Sequence, residues 1–316
     1  MRKSDFSHKT AGRGWGSISE EGVEMWDAKP LFLSGSLSLK DRLMLFLYPK
    51  KFFLYRYINK AKKQAAKTRN LLTEPFRVLD LGCGTGGATI DLKRLLGREA
   101  ELVGLDVVNL QVDLAKEQAK RHGVHAEFFH YEGRQFPFSS STFDALYTSD
   151  VLGHVENVPF WLDEINRVLR PNGVLAMFAE SKLGRHAYLR NFFMKQGLNT
   201  DPHAEFHISL FSKAELLRML SQAGFDIERV YASVWAKFFV HPDELYSAFQ
   251  KHKSWKILLF KWANALLYHL KKRTHPFSTA LCELYSFFEM ITLGRWLESQ
   301  GYVILGKKVE RRNKNF

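Results

Sequence analysis

Cysteine is scarce in this sequence, which has only Cys83 and Cys282 among its 316 residues. Two cysteines cannot build the disulfide framework of a small secreted domain. The polar first residues, MRKSDFSHKT, also have no signal-peptide pattern. The composition therefore predicts a reducing, cytoplasmic setting.

Long apolar runs are missing as well. The two most apolar stretches, 43–55 and 255–270, are interrupted by lysines. Neither reaches the roughly 20 consecutive apolar residues that a membrane-spanning helix requires. We therefore predict no transmembrane segment. The 46% of hydrophobic residues and 25% of charged residues are ordinary for a globular protein, which argues against wholesale disorder.

Acidic residues are nearly absent from two basic segments of the sequence. Residues 77–180 contain 15 Asp and Glu against 10 Lys and Arg, whereas 40–69 contain 1 against 10 and 251–273 contain 0 against 7. The net charge of +13 therefore lies mainly in the flanking segments. A basic face of this kind can contact nucleic acid, anionic lipid or an acidic substrate. It can equally be the solvated surface of exposed helices.

From residue 77 onward, short apolar runs alternate with helical patterns. The predicted strands are 77–81, 101–107, 126–131, 143–149, 173–180, 226–233 and 301–308. The predicted helices between them are 88–96, 112–123, 160–169 and 212–225, with RPNG at 170–173 as a stop and turn. Such alternation predicts an α/β fold: a Rossmann-like, mainly parallel seven-stranded sheet with helices on both faces.

The remaining segments are predicted to flank this core. The chain divides into an N-terminal arm and basic helical cap (1–70, broken at Pro49), the core (71–231), a helical aromatic and basic insertion (232–300), and the last strand with a charged tail (301–316). The fold prediction thus includes a helical cap before the sheet and a helical insertion before its last strand.

The insertion contains one amphipathic helical pattern, at 253–273. Lys256, Asn264 and Lys271 lie off its apolar stripe. The stripe consists of Trp255, Leu258, Leu259, Trp262, Leu266 and Leu270. We expect the stripe to pack on the core, as amphipathic helices usually do. Two alternatives are that it roofs an apolar substrate pocket or lies in a membrane interface.

The strongest chemical signal is VLDLGCGTGG at 78–87, where a predicted strand runs into Gly82, Gly84 and Gly86. Glycines permit a sharp turn and a close approach of ligand to backbone. Asp80 stands two residues before the first glycine, where a carboxylate can help to hold an ammonium group. Asp106 ends the next strand, where an acid receives two ribose hydroxyls in this topology. The turn alone does not distinguish among adenosylmethionine, nicotinamide and flavin cofactors.

These motifs, together with LD at 105–106, FPFSSSTFDALYTSDVLGHV at 136–155 and LDEINRVLRPNGVL at 162–175, resemble class I S-adenosylmethionine-dependent methyltransferases. The nearest subgroup includes quinone, sterol and small-molecule methyltransferases. The resemblance implies S-adenosylmethionine as cofactor, with Asp80 and the three turn glycines at its methionine end and Asp106 at its ribose.

The resemblance also implies roles for residues further along the chain. Glu132 stands where the family pattern has an aspartate near the adenine, and Asp150 follows the fourth strand on the cofactor side. Gly153 departs from the pattern, which usually has an acid before His154. His154 and His207 are placed to serve as a general base, His207 in a flap over the substrate. A lone histidine can instead be a structural hydrogen-bonding residue.

We therefore predict methyl transfer from S-adenosylmethionine to an O, N or C acceptor that is small or lipid-like. Peripheral contact with an anionic membrane is left open. One alternative is an RNA or protein methyltransferase that uses the basic face. Others are a cofactor-binding module without transfer activity and a nicotinamide oxidoreductase.

Overall fold

The computed structural model describes residues 18–19, 22–23, 29–32, 37–198, 207–234 and 242–309. Most of the predicted N-terminal arm and the end of the charged tail lie outside the described residues. The domain boundaries given above stay predictions.

The strands in this part of the chain are β1 (Ile18–Ser19), β2 (Gly22–Val23), β3 (Phe76–Leu81), β4 (Ala100–Asp106), β5 (Glu127–His130), β6 (Phe143–Ser149), β7 (Leu169–Glu180), β8 (Phe225–Tyr231) and β9 (Gly301–Lys308). β1 and β2 form a short antiparallel pair. The other seven strands form one sheet in the order β5-β4-β3-β6-β7-β9-β8. This sheet confirms the predicted fold class.

The strand order reverses between β3 and β6, because the chain first builds outward through β4 and β5 and then returns to the other side of β3. All strand pairs in the sheet are parallel except those that β9 makes with β7 and β8. In open α/β sheets, ligands bind outside the carboxyl ends of the strands at such a reversal.

Both faces of the central strands are buried. Along β3, Leu79 and Leu81 pack in one hydrophobic core and Val78 packs in the other. Successive strand residues point to opposite faces, so a sheet covered on both sides selects apolar residues at nearly every position. This is why β3 is an apolar run rather than an alternating one.

The helices are α1 (Leu39–Met44), α2 (Pro49–Ala65), α3 (Gly87–Leu96), α4 (Asn109–Arg121), α5 (Val158–Val168), α6 (Tyr188–Lys195), α7 (Lys213–Gln222), α8 (Pro242–Lys251), α9 (Leu258–Thr274) and α10 (Phe277–Thr292). Pro49 begins α2, where its missing N–H costs nothing. Ser212 and Glu215 form the expected capping box of α7. None of the helices described is long and apolar enough to cross a membrane.

RPNG is predicted to stop α5 and form a turn: α5 does end before it, at Val168, but the turn prediction is wrong. β7 already begins at Leu169, and Asn172 has a φ of 61° within it. The register between β6 and β7 shifts between Phe143 and Ala145. The turn-forming residues are therefore absorbed into the strand as an irregularity, because a bulge accommodates extra residues without ending the ladder.

The prediction that the apolar stripe of 253–273 packs on the core is also wrong. Its six residues are 50–80% exposed. Asn264, which the helical pattern places off the stripe, is fully buried and donates a hydrogen bond to the carbonyl of Pro242 at 3.0 Å. At about 100° per residue, Asn264 lies on the side of α9 opposite the stripe. α9 therefore packs its Asn264 side against the rest of the protein and exposes its apolar stripe.

Candidate functional site

Four carboxyl groups lie at the carboxyl ends of four adjacent parallel strands. In sheet order they are Asp106 of β4, Asp80 of β3, Asp150 directly after β6, and Glu180 of β7. Parallel strands bring their carboxyl ends to one edge of the sheet, so Asp80 and Asp150, 70 positions apart in the sequence, lie at the ends of paired strands. This edge, on both sides of the strand reversal, is the candidate site.

The glycine turn that follows β3 depends on glycine at each of its three positions. Gly82, Gly84 and Gly86 have φ values of 75°, 52° and 85°, a region that other residues rarely adopt. A Cβ added to Gly82 would lie 2.2 Å from Cγ2 of Val151. The turn is thus both left-handed and packed closely against the residues after β6.

Asp80 and Asp106 hold this turn from two sides. One oxygen of Asp106 accepts a hydrogen bond from the Gly84 N–H at 2.8 Å, and the other accepts from the Val108 N–H at 2.9 Å. Asp80 accepts from the Thr89 hydroxyl at 2.6 Å. Burial raises the pKa of Asp80 to about 7 despite that hydrogen bond, and burial also raises the pKa of Asp106. A ligand that brings positive charge here would favour the ionised carboxylates.

Asp150 forms the next part of the edge, with a φ of 61°. Its Oδ2 accepts hydrogen bonds from Lys50 Nζ and from the Ser149 hydroxyl, both at 2.6 Å. Burial would raise the pKa of Asp150, but Lys50 and hydrogen bonds from Glu180 and Ser149 hold it well below its usual range. Burial and the charge of Asp150 raise the pKa of Glu180 well above its usual range. Because two neighbouring carboxylates disfavour a double negative charge, protonation is favoured at Glu180 over Asp150.

Lys50 and Glu180 are not among the site residues that the sequence predicts. The sequence does contain a signal for Glu180, because this acid ends a predicted strand, as Asp106 does. Lys50 has none, since it is one of ten basic residues in 40–69. Only the packing of α2 over the sheet edge singles it out.

The structure brings the two predicted histidines together. His154 ends a 3-10 turn (Leu152–His154) after β6 and is buried, and its ring centroid lies 5.1 Å from that of His207. The N–H groups of Ile208 and Ser209 donate to the carbonyl of Gly153 at 2.8 and 3.0 Å. A Cβ at position 153 would lie 2.8 Å from Cδ2 of His207, which gives the departure at Gly153 a steric reason. The role of either histidine as a base stays a prediction.

Glu132 lies beside the same edge. It follows Tyr131, whose N–H donates to the carbonyl of Asp106 at 3.0 Å, and its side chain is exposed. The assignments of Glu132 to the adenine and of Asp150 to the cofactor stay predictions.

A buried carboxylate on α3 fastens the N-terminal cap to the helix after the glycine turn. Asp91 accepts from the N–H groups of Leu31 and Phe32 at 2.7 and 3.0 Å, from Lys51 Nζ at 2.9 Å and from the Tyr55 hydroxyl at 3.1 Å. The cap that supplies Lys50 is thus held in place by its neighbour Lys51.

Comparison with known proteins agrees with this geometry. A family model described as a methyltransferase domain matches residues 78–173, which include the glycine turn, β4, β5 and β6. The demethylmenaquinone methyltransferase of Lactobacillus johnsonii is 30% identical over 162 residues, covering 46% of this chain and 66% of the relative. Residues 78–173 are a class I S-adenosylmethionine-dependent methyltransferase domain.

The matches to curated relatives are partial. The sterol 24-C-methyltransferase of Candida albicans is 31% identical over 109 residues, covering 34% of this chain and 28% of the relative. The chain thus spans less than two thirds of either curated relative. A solved S-adenosylmethionine-dependent methyltransferase from Aquifex aeolicus is 22% identical, with a TM-score of 0.41, covering 54% of this chain and 82% of that one.

The residues at the sheet edge fit the methyltransferase cofactor. S-adenosylmethionine presents an ammonium group, a sulfonium cation and a ribose diol. Asp80, buried beside the glycine turn, would hold the ammonium group, and the carboxylate of Asp106 would accept from the ribose hydroxyls. Gly82, Gly84 and Gly86 carry no side chain, which leaves the backbone of the turn accessible to the ligand.

Proposed function

We propose that this chain transfers the methyl group of S-adenosylmethionine to a small or lipid-like acceptor, releasing S-adenosylhomocysteine. The observation that carries the proposal is the glycine turn held between the buried carboxyl groups of Asp80 and Asp106. The bound cofactor supplies an electrophilic methyl group. The protein then has to align the acceptor with it and exclude water.

The acceptor side of the proposal rests on aromatic residues beside Lys50. The Lys50 ammonium lies 4.0 Å from the centre of the Phe178 ring. Phe53 stacks on Tyr231 with ring centroids 4.4 Å apart and on Phe287 at 5.5 Å. All four aromatic residues belong to one apolar cluster. Such a wall suits an apolar acceptor, in line with the quinone and sterol names of the two relatives.

The Lys50–Asp150 pair would orient the polar group of that acceptor. Both side chains are somewhat more than a third exposed, and they offer a hydrogen-bond donor and an acceptor side by side. A hydroxyl acceptor must also lose its proton, and His154 or His207 would take it. Carbon, nitrogen and oxygen acceptors all remain within the proposal. A lipid-like acceptor would be met at a membrane surface, so peripheral membrane contact is part of the same proposal.

Two measurements test the proposal. S-adenosylmethionine and S-adenosylhomocysteine should each stabilise the purified protein against heat, by about 2.7 kcal/mol at a concentration 100-fold above Kd. Stabilisation by NADH alone would instead support an oxidoreductase. Incubation with methyl-labelled cofactor and fractionated cell extract should place label in the lipid or small-molecule fraction. Label in RNA or protein alone would overturn the acceptor class.

A further inference from the structure

Two consecutive helices of the insertion present apolar stripes to the outside of the molecule. On α9 the exposed side chains are Leu258, Leu259, Trp262, Leu266 and Leu270, preceded by Trp255. On α10 they are Phe277, Leu281, Tyr285, Phe288 and Ile291. Each set recurs every three or four residues and therefore occupies one side of its helix. We call the two stripes together the α9–α10 face.

The opposite sides of both helices are fixed against the protein. Asn264 is the buried residue of α9, and Ser286, Glu289 and Met290 are the buried residues of α10. Glu289 accepts hydrogen bonds from the Ser233 hydroxyl at 2.8 Å and the Val234 N–H at 3.0 Å. Rotating either helix to bury its stripe would break these contacts. The outward orientation is thus built into the fold.

The charges around the α9–α10 face are of one sign. Residues 251–273 contain seven Lys and Arg and no Asp or Glu. At about 100° per residue, Lys261 and Lys272 border one side of the α9 stripe. Lys256 is exposed in the 3-10 turn (Trp255–Ile257) that precedes α9, next to Trp255. The acidic residues of α10 lie elsewhere, with Glu289 buried and Glu283 partly buried. An apolar stripe bordered by lysines is the pattern of a helix that lies in a membrane interface.

We infer that the α9–α10 face docks the protein on the surface of an anionic lipid membrane. A second copy of the chain fits less well, because a two-fold dimer sets the same face of each copy against the other. The lysines that border the stripe would then oppose the same lysines of the other copy across an apolar contact. Anionic headgroups neutralise those cations while the acyl region receives the tryptophans and leucines.

The docked surface and the candidate site share one helix. The inner side of α10 carries Phe287, which stacks on Phe53 of the cap, and Lys50 is close enough to Glu283 to lower the pKa that burial raises. α10 is therefore both a wall near Lys50 and part of the α9–α10 face. This inference deepens the proposed function by naming the surface through which a lipid-like acceptor arrives, and vesicle binding tests it without methyl transfer.

The test is co-sedimentation of the full-length protein with vesicles of phosphatidylcholine alone or mixed with phosphatidylglycerol. Binding should require the anionic lipid and weaken with salt. The double change Leu259→Ser with Trp262→Ser should weaken it by at least about tenfold at low salt, since two large side chains lose their apolar contact. Lys256→Glu with Lys272→Glu, two exposed lysines beside the face, should weaken it by about twentyfold or more.

Matched controls use exposed residues outside this face. Leu72 is 77% exposed in the loop before β3, and Lys116 and Lys120 lie on α4. Leu72→Ser and the pair Lys116→Glu with Lys120→Glu should bind vesicles like the wild type. All variants should keep the wild-type melting temperature, because the substituted side chains are mostly outside the core.

Three results would overturn the inference. The first is no binding of the wild type to anionic vesicles. The second is equal loss of binding in the controls. The third is a wild-type dimer, or a complex with single-stranded RNA, that forms in place of vesicle binding and is lost in the Trp262 variant. Cofactor binding, measured separately by thermal shift without vesicles, shows whether the proposed methyl transfer fails independently.

Discussion

Lys50 of the N-terminal cap donates a hydrogen bond to Asp150, 100 residues away, with 2.6 Å between Nζ and Oδ2. Its neighbour Lys51 reaches the buried carboxylate of Asp91 at 2.9 Å. Two adjacent lysines on one helix therefore have different tasks, one at the rim of the candidate site and one inside the fold. The cap is thereby a part of the site as well as a cover for the sheet.

The first prediction compares Lys50→Met with Lys51→Met. Lys51→Met should lower the free energy of unfolding by on the order of 2–3 kcal/mol, because Asp91 stays buried with fewer donors. Lys50→Met should leave stability nearly unchanged, because its ion pair is partly exposed. It should instead raise KM for the acceptor or lower kcat, with cofactor affinity retained. Chemical denaturation and steady-state kinetics separate the two effects, and identical behaviour of the variants would contradict the division of roles.

The second prediction concerns pH and Asp80. Its pKa of about 7 in the folded protein exceeds the ordinary 3.8, so folding favours the protonated form. Stability from this group is therefore full below about pH 4 and is lost progressively as the pH rises to about 7. A cationic cofactor requires the ionised form, so its affinity should fall about tenfold per unit below pH 7.

Asp80→Asn isolates this effect from the titration of the histidines. The variant should bind S-adenosylmethionine more weakly at pH 8, and the Asp80 part of the pH dependence should vanish. Calorimetric titration between pH 5.5 and 8.5 measures both. The same slope in wild type and variant would assign the proton to another group.

The third prediction concerns Asp106. Asp106→Ala should weaken cofactor binding by about 1.5–3 kcal/mol, the range for hydrogen bonds to a charged group. It should also lower stability, because Gly84 and Val108 lose a buried acceptor. Asp106→Asn, which keeps one oxygen, should be milder in both respects.

The matched control is Asp113→Ala, which removes an exposed acid on α4 and should change neither cofactor affinity nor stability. Unchanged affinity in folded Asp106→Ala would mean that another residue holds the ribose.

The fourth prediction concerns the general base. His154→Ala and His207→Ala should leave cofactor affinity nearly intact, and the one that removes the base should lower turnover by ~10²–10⁴-fold. Because His154 is buried, its replacement also affects folding. The turnover of His154→Ala must therefore be measured per folded molecule. Normal turnover in both variants would mean that alignment alone suffices or that a different residue accepts the proton.

By itself the sequence determined the sheet and the geometry of the glycine turn at its edge. The strand alternation, the glycine turn, Asp80 and Asp106 depend on local patterns, because glycine is needed at positive φ and an acid at a strand end faces the edge where ligands bind. The sequence also placed Pro49 and the Ser212 cap correctly, since both act within one helical turn.

Only the tertiary structure decided which residues meet beside that turn. The pairs Lys50–Asp150 and His154–His207 depend on which strands and loops become neighbours, and no spacing along the chain encodes that. The stripe of 253–273 looks the same whether it faces a core or a membrane, because periodicity records that one side is apolar and not what covers it. The burial of Asn264 on the opposite side of α9 decided which side of the helix faces solvent. A buried polar group must keep its hydrogen-bond partner, so the bond from Asn264 to Pro242 fixes this side against the protein.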